Sequence, residues 1–140
     1  EMLSTKKLYD NELPEWASNM IKSKGLDIQS KALEGNKDCQ LALLMNAYRI
    51  KKTIGSYAAA LNGLDAIVFT AGIGENSAYM RELVCTDMDY FEIEIDKEKN
   101  QIRSKEIREI NKETSVVKVL VVPTDEEYEI ANQVFQLLEN

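Results

Sequence analysis

An apolar run without polar alternation, Ala66-Ile67-Val68-Phe69-Thr70, constrains the fold of this chain more than any other feature. A strand with one wet face alternates, whereas one that is apolar at successive positions expects cover on both faces, as in parallel sheets. Val116–Val122 reads as a second buried strand, stopped by Pro123. Each run leads through a turn into a helical pattern. Helix–strand–helix followed by strand–helix predicts an α/β domain in which some strands are parallel.

The helix ahead of the first run is the most periodic part of the chain. Between Asn36 and Asn62, Leu43, Ala47, Ile50, Ile54, Tyr57, Ala58 and Leu61 recur at three- and four-residue steps, which places them on one face. Asn36 is the expected N-cap and Asn62-Gly63 the left-handed stop. Arg49, Lys51 and Lys52 fall on the solvent side. A final helix, from about 125 to 138, carries Ile130, Ala131, Val134, Leu137 and Leu138 on one face.

The rest is less regular. Phe91, Ile93 and Ile95 alternate with Glu92, Glu94 and Asp96, which predicts a half-exposed strand. Residues 97–115 are polar and turn-rich, with a short strand at 107–110. In residues 1–35, Leu8, Leu13, Trp16, Met20 and Ile21 suggest one or two short amphipathic helices, broken at Pro14 and ended near Gly25; Gly25 and Gly35 bound a loop-like stretch.

Composition removes several classes of function. The chain of 140 residues is 44% hydrophobic, enough to build a core, and its net charge of −7 repels nucleic-acid backbones and anionic lipid. No apolar run approaches the roughly 20 residues of a membrane span. The N-terminus lacks the apolar core of a secretory signal. Cys39 and Cys85 stand apart in apolar surroundings and form no metal-binding pair, which fits a reducing cytosol and a cytoplasmic protein. With no histidine, no Ser-His or Cys-His nucleophile system exists. Chemistry here must run on carboxylates, backbone amides and a bound metal.

Two turns are candidates for such chemistry, because ligands of open α/β sheets gather where strands end and helices begin. In Gly72-Ile73-Gly74-Glu75-Asn76 the glycines let a ligand approach the main chain. The amides of the following helix favour an anion by roughly 0.3–1 kcal/mol. A phosphate-binding role and a plain strand-to-helix turn account for the pattern equally well. In Pro123-Thr124-Asp125-Glu126-Glu127, Thr124 and Glu127 have capping-box spacing, which leaves Asp125 and Glu126 uncommitted. Free carboxylates beside phosphate suit Mg²⁺, although acids also crowd first helical turns merely to complement the dipole. Arg81 reads as an exposed surface residue; Trp16 and the tyrosines at 48, 57, 79, 90 and 128 read as packing.

Taken together, Leu64–Ser77 resembles the nucleotide-binding strand and loop of acetate kinases, and Val119–Glu127 their final strand and magnesium-site turn. Ala47–Lys52 with Gly55–Leu61 resembles the preceding long helix. The resemblance spans about 34–140, which divides the chain into a poorly matched segment, 1–35, and a C-terminal nucleotide-side domain, 36–140. It implies a ribonuclease H-like, actin-like ATPase domain, with a mixed sheet and flanking helices. It also implies reversible phosphoryl transfer from ATP to acetate, giving acetyl phosphate and ADP, in a protein completed by the missing N-terminal part. Gly72, Ile73, Gly74, Glu75 and Asn76 would line the nucleotide pocket and Glu126 would serve Mg²⁺. The family's catalytic histidine and arginines have no counterpart here, so the chain alone is expected to turn over negligibly.

Asp125 stands where the family usually has asparagine. Lys24-Gly25-Leu26 falls where the family has an Asp-Met-Arg or Asp-Phe-Arg nucleotide contact. The loss at 24–26 leaves a non-catalytic nucleotide- or protein-binding relic as one alternative, and part of a propionate or butyrate kinase is another, because acyl specificity is expected to lie outside this chain. Half of a two-domain cleft exposes apolar surface, so self-association or an N-terminal partner domain is expected.

Overall fold

The computed structural model describes residues 25–138. The helices expected around Leu8, Leu13, Trp16, Met20 and Ile21 lie outside them. Gly25–Leu33 forms a helix, α1, where the sequence reads as a loop. The reason is tertiary: Ile28 and Ala32, four residues apart, are both buried in the core. Gly35, at φ +96°, then reverses the chain, and its amide donates to the Ala32 carbonyl at 3.1 Å. The described part of the 1–35 segment therefore shares one core with the long helix and the sheet.

Helix α2, Lys37–Leu61, matches expectation at both ends. The Asn36 side chain accepts from the Cys39 amide at 3.0 Å, and Asn62 adopts the left-handed conformation that stops the helix. Leu43, Ala47 and Ala58 are buried and Ile50 and Ile54 pack on the core, but Tyr57 and Leu61 face outward. Lys51 is not wholly wet, since its ammonium donates to the Thr86 carbonyl.

Strand β1, Ala66–Phe69, follows directly. It pairs in parallel with β3, Lys118–Val121, which also pairs antiparallel with the short β2, Arg108–Glu109. The sheet is mixed, with order β1-β3-β2. Cover on both faces is not realised. Ile67, Phe69, Val119 and Val121 are buried, whereas Val68 is 51% exposed, because no described helix lies over its face.

Between β1 and β2 lie α3 (Ala71–Asn76), α4 (Ala78–Cys85), a 3₁₀ turn (Asp89–Phe91) and α5 (Lys97–Gln101). The strand expected at 91–95 is absent. Glu92 takes a left-handed conformation (φ 56°), which breaks the extension and leaves one bridge, Ile95 to Asn111. Ile93 is still buried, so the alternation in sequence records burial rather than a ladder. Within the polar stretch after 97, the Asp96 carboxylate caps α5 by accepting from the Glu98 and Lys99 amides at 2.9 Å each. The last helix, α6, spans Glu126–Leu138, and its apolar residues Ile130, Val134, Leu137 and Leu138 are all exposed. Tyr57, Tyr90 and Tyr128 are likewise exposed rather than packed, while Tyr79 does pack against the core.

Candidate functional site

The register of β1 and β3 pairs Phe69 with Val121, and the Val122 amide continues the ladder onto the Phe69 carbonyl at 2.9 Å. The two candidate turns therefore leave the same rim of the sheet from neighbouring strands. One side chain joins them. Glu75 Oε1 accepts from both the backbone amide and the hydroxyl of Thr124, each at 2.8 Å. These two donors, above all the hydroxyl, hold the Glu75 carboxyl below its usual range.

Thr124 is thereby spent on Glu75 and does not cap α6. Asp125 does so instead: its Oδ1 accepts from the Tyr128 amide at 2.9 Å. The capping box drawn from Thr124 and Glu127 is thus displaced by one residue, and Asp125 is not uncommitted. A hydroxyl that can reach a carboxylate on another loop has an alternative which local sequence cannot show.

The glycine turn is helical, as α3, rather than an open loop. Ala71 enters it at φ 56°, a left-handed conformation that costs a non-glycine residue about 1 kcal/mol or more. The two glycines have different reasons to be glycine. A Cβ on Gly74 would lie 3.3 Å from the Phe69 carbonyl carbon, so its backbone must press on the end of β1. A Cβ on Gly72 would meet nothing within 4 Å, and this position borders open space. Ile73 is exposed, and the Asn76 side chain folds back to donate to the Gly72 carbonyl at 2.8 Å. The amides of the following helix are not all open, as the sequence suggested. Buried Ser77 caps α4, its Oγ accepting from Met80 N at 3.0 Å and donating to Gln29 of α1 at 2.6 Å.

Arg81 departs furthest from expectation. It is 2% exposed, and its guanidinium donates to the Gly74 and Glu75 carbonyls at 2.8 Å and to the side chain and carbonyl of Asn100 at 2.7 Å. Asn100, fully buried, donates in turn to the Ala78 carbonyl. Burial lowers the Arg81 pKa to about 10, which leaves it charged at neutral pH. Carbonyl dipoles, not a carboxylate, compensate this charge. Gly74 and Arg81 lie on different helices, so the periodicity of neither one shows the contact, and sequence patterning missed it.

Beside these groups opens a cleft of about 940 Å³, bordered by α1, the α3–α4 junction, residues 101–105 and Pro123–Asp125. The model of the acetokinase family matches residues 18–132 of this chain. The chain belongs to the acetokinase family.

Known acetokinases bear this out at close range. The chain is 86% identical over 114 residues to the acetate kinase of Flavobacterium johnsoniae, covering 81% of this chain and 29% of that protein. The crystal structure of Porphyromonas gingivalis acetate kinase superposes with a TM-score of 0.68 at 46% identity, over 79% of this chain and 28% of that one. A propionate kinase from Francisella tularensis gives a TM-score of 0.64 at 33% identity, over 72% and 25%. The α/β, actin-like ATPase fold class follows from these neighbours. The chain spans less than a third of the length of these three relatives. The acetokinase match begins at residue 18, well upstream of the motifs legible in the sequence.

Among the described residues no cluster of three acidic, Cys or His side chains forms a metal cage. Magnesium does not need one, since it binds through one or two carboxylates together with substrate phosphates and water. Glu75 and Asp125 both border the cleft, and each has one oxygen engaged by protein donors. Two carboxylates beside an open cleft are compatible with that mode. The Glu126 backbone opens α6 at the same rim.

Proposed function

We propose that this chain supplies the nucleotide side of an acetate kinase. On this reading Gly72, Ile73, Gly74, Glu75 and Asn76 border ATP or ADP, and Glu126 serves Mg²⁺, which when bound neutralises phosphate charge. The γ-phosphoryl passes reversibly to acetate once the rest of the family's length completes the cleft. The observation that carries the proposal is the Thr124–Glu75 bridge, which fixes the glycine turn and the acidic turn within one hydrogen bond of each other. One metal–nucleotide complex can then touch both.

Positioning and charge neutralisation dominate phosphoryl transfer, and a single arginine in trans is worth roughly 10³–10⁵ in rate. The chain has no histidine, and on this reading turnover depends on groups outside it, so the chain alone is inactive. Residues 36–140 are the nucleotide-side domain, and 1–35 the segment leading into it. The exposed apolar residues of α6 and Val68 are the surface onto which the remaining part, or a second subunit, packs. A reducing cytoplasm suits the two buried thiols. Likeness to a propionate kinase supports a second reading in which the acyl group is propionate. Residues that select the acid belong to the missing part.

Titration of the chain with Mg·ADP tests the nucleotide reading. Gly72→Val is the informative variant, because its side chain enters open space and leaves packing intact. Binding by the parent chain that this variant abolishes supports the pocket. Binding unaffected by the variant removes the glycine turn from it. A folded chain that binds no nucleotide favours a non-catalytic relic.

A further inference from the structure

The lining of the cleft is rich in cations, although the chain as a whole carries a net charge of −7. Among the described residues lining it, four are basic (Arg81, Arg103, Lys105, Arg108) and two acidic (Glu75, Asp125). One oxygen of each acid is engaged, on Glu75 by Thr124 and on Asp125 by the Tyr128 amide. Arg81 is engaged too, and contributes charge rather than contact. Arg103 and Lys105 are exposed, and their side chains have no partner among the described residues.

Arg108 is under-satisfied. Nη1 donates to the Ser104 carbonyl at 3.0 Å, but Nη2 reaches the Glu75 carbonyl only at 3.5 Å, and Nε is buried with no acceptor. A buried orphan donor is uncommon and calls for a missing partner. The loop that carries these cations is itself ordered by hydrogen bonds, the Ser104 hydroxyl accepting from the Glu106 amide at 3.0 Å. A guanidinium held by one good hydrogen bond, beside two cations with no partner among the described residues, is equipped to close on a phosphate through charge-assisted bonds.

We propose that Arg103, Lys105 and Arg108 form the anion-holding wall of this cleft and take the phosphate group of a phosphorylated small molecule. The inference deepens the reading of the cleft as a ligand site, but does not require the ligand to be a nucleotide. The phosphate has two sources, the phosphate chain of a nucleotide or a free phosphoanion, and three probes separate them: Mg·ADP, pyrophosphate and adenosine.

The variant is the double substitution Arg103→Gln with Lys105→Gln. Both positions are exposed and bonded to nothing described, so the fold survives, as a thermal melt verifies. Removing the two contacts is expected to weaken pyrophosphate and Mg·ADP by about tenfold or more, to flatten the salt dependence of binding, and to leave adenosine unchanged. Arg108→Lys, which keeps the charge but loses the fork, weakens the same two ligands. If pyrophosphate binds and is weakened while ADP binds no better and adenosine not at all, the anion wall stands and the nucleotide reading falls. If ADP binds and the double variant leaves its affinity and salt dependence unchanged, the anion wall is overturned and the nucleotide reading stands. Failure of the parent chain to bind any of the three overturns both.

Discussion

Glu75 and Thr124 are 49 residues apart in sequence and are joined by two hydrogen bonds of 2.8 Å, both to one carboxylate oxygen. The link converts two neighbouring strand ends into a single rim. It is also acid-sensitive. Its donors hold the Glu75 carboxyl below the ordinary value of 4.5, so the folded state binds this proton less readily than the unfolded state. The stabilisation is present above pH 4.5 and is lost as pH falls through the lowered value. Glu75→Gln is therefore expected to reduce stability at pH 7 and to make progressively less difference in acid. Urea midpoints of parent and variant at pH 7 and pH 3 provide the check, and a gap that widens in acid refutes the account.

Arg81→Ala is expected to be severe. It strips donors from the Gly74, Glu75 and Asn100 carbonyls and from the Asn100 side chain, all at or near a buried site. Buried acceptors without partners cost about 1–3 kcal/mol each, so a total loss of about 3 kcal/mol or more is expected. Arg81→Lys retains charge but cannot fork to four acceptors, and is expected to recover only part of it. Chemical denaturation measures both.

Gly74→Ala and Gly72→Ala are expected to differ in sign. At Gly74 the new methyl presses on the Phe69 backbone at 3.3 Å, an overpacking of about 1–3 kcal/mol. At Gly72, a helical position with open space around it, alanine restricts the unfolded chain and stabilises by about 0.4–1 kcal/mol. Melting temperatures of the two variants decide the matter.

Cys85 is buried, and burial raises its thiol pKa to about 12 from the ordinary 9.0. In the native chain at pH 8 it is expected to resist alkylation that proceeds readily in urea, since the thiolate is the reactive form. Because the folded value lies above the unfolded one, stability is undiminished below pH 9 and falls as pH rises toward 12. Timed alkylation with mass detection at Cys85, and melts at pH 8 and pH 10, test the two halves separately.

The legible parts of this chain are those in which neighbours along the sequence decide the outcome. Helix α2 announces itself by three- and four-residue spacing and by Asn36 and Asn62 at its ends, because helix hydrogen bonds and caps are local. Strands β1 and β3, and the turns after them, emerge from apolar runs and glycines in the same way. Helix α1 was hidden because only contact with α2 makes burying Ile28 and Ala32 worthwhile. The interval 91–95 misled because burial every second residue does not require an extended backbone, and Glu92 does not adopt one.

The sequence by itself determined the α/β class, the long helix with its caps, and the two turns that mark the family. Tertiary structure alone decided that Thr124 serves Glu75 and leaves capping to Asp125, and that Arg81 is an interior clamp. The physical reason is the same in each case. A polar side chain takes the strongest partner that folding brings within about 3 Å, and partners distant in sequence leave no trace in its periodicity.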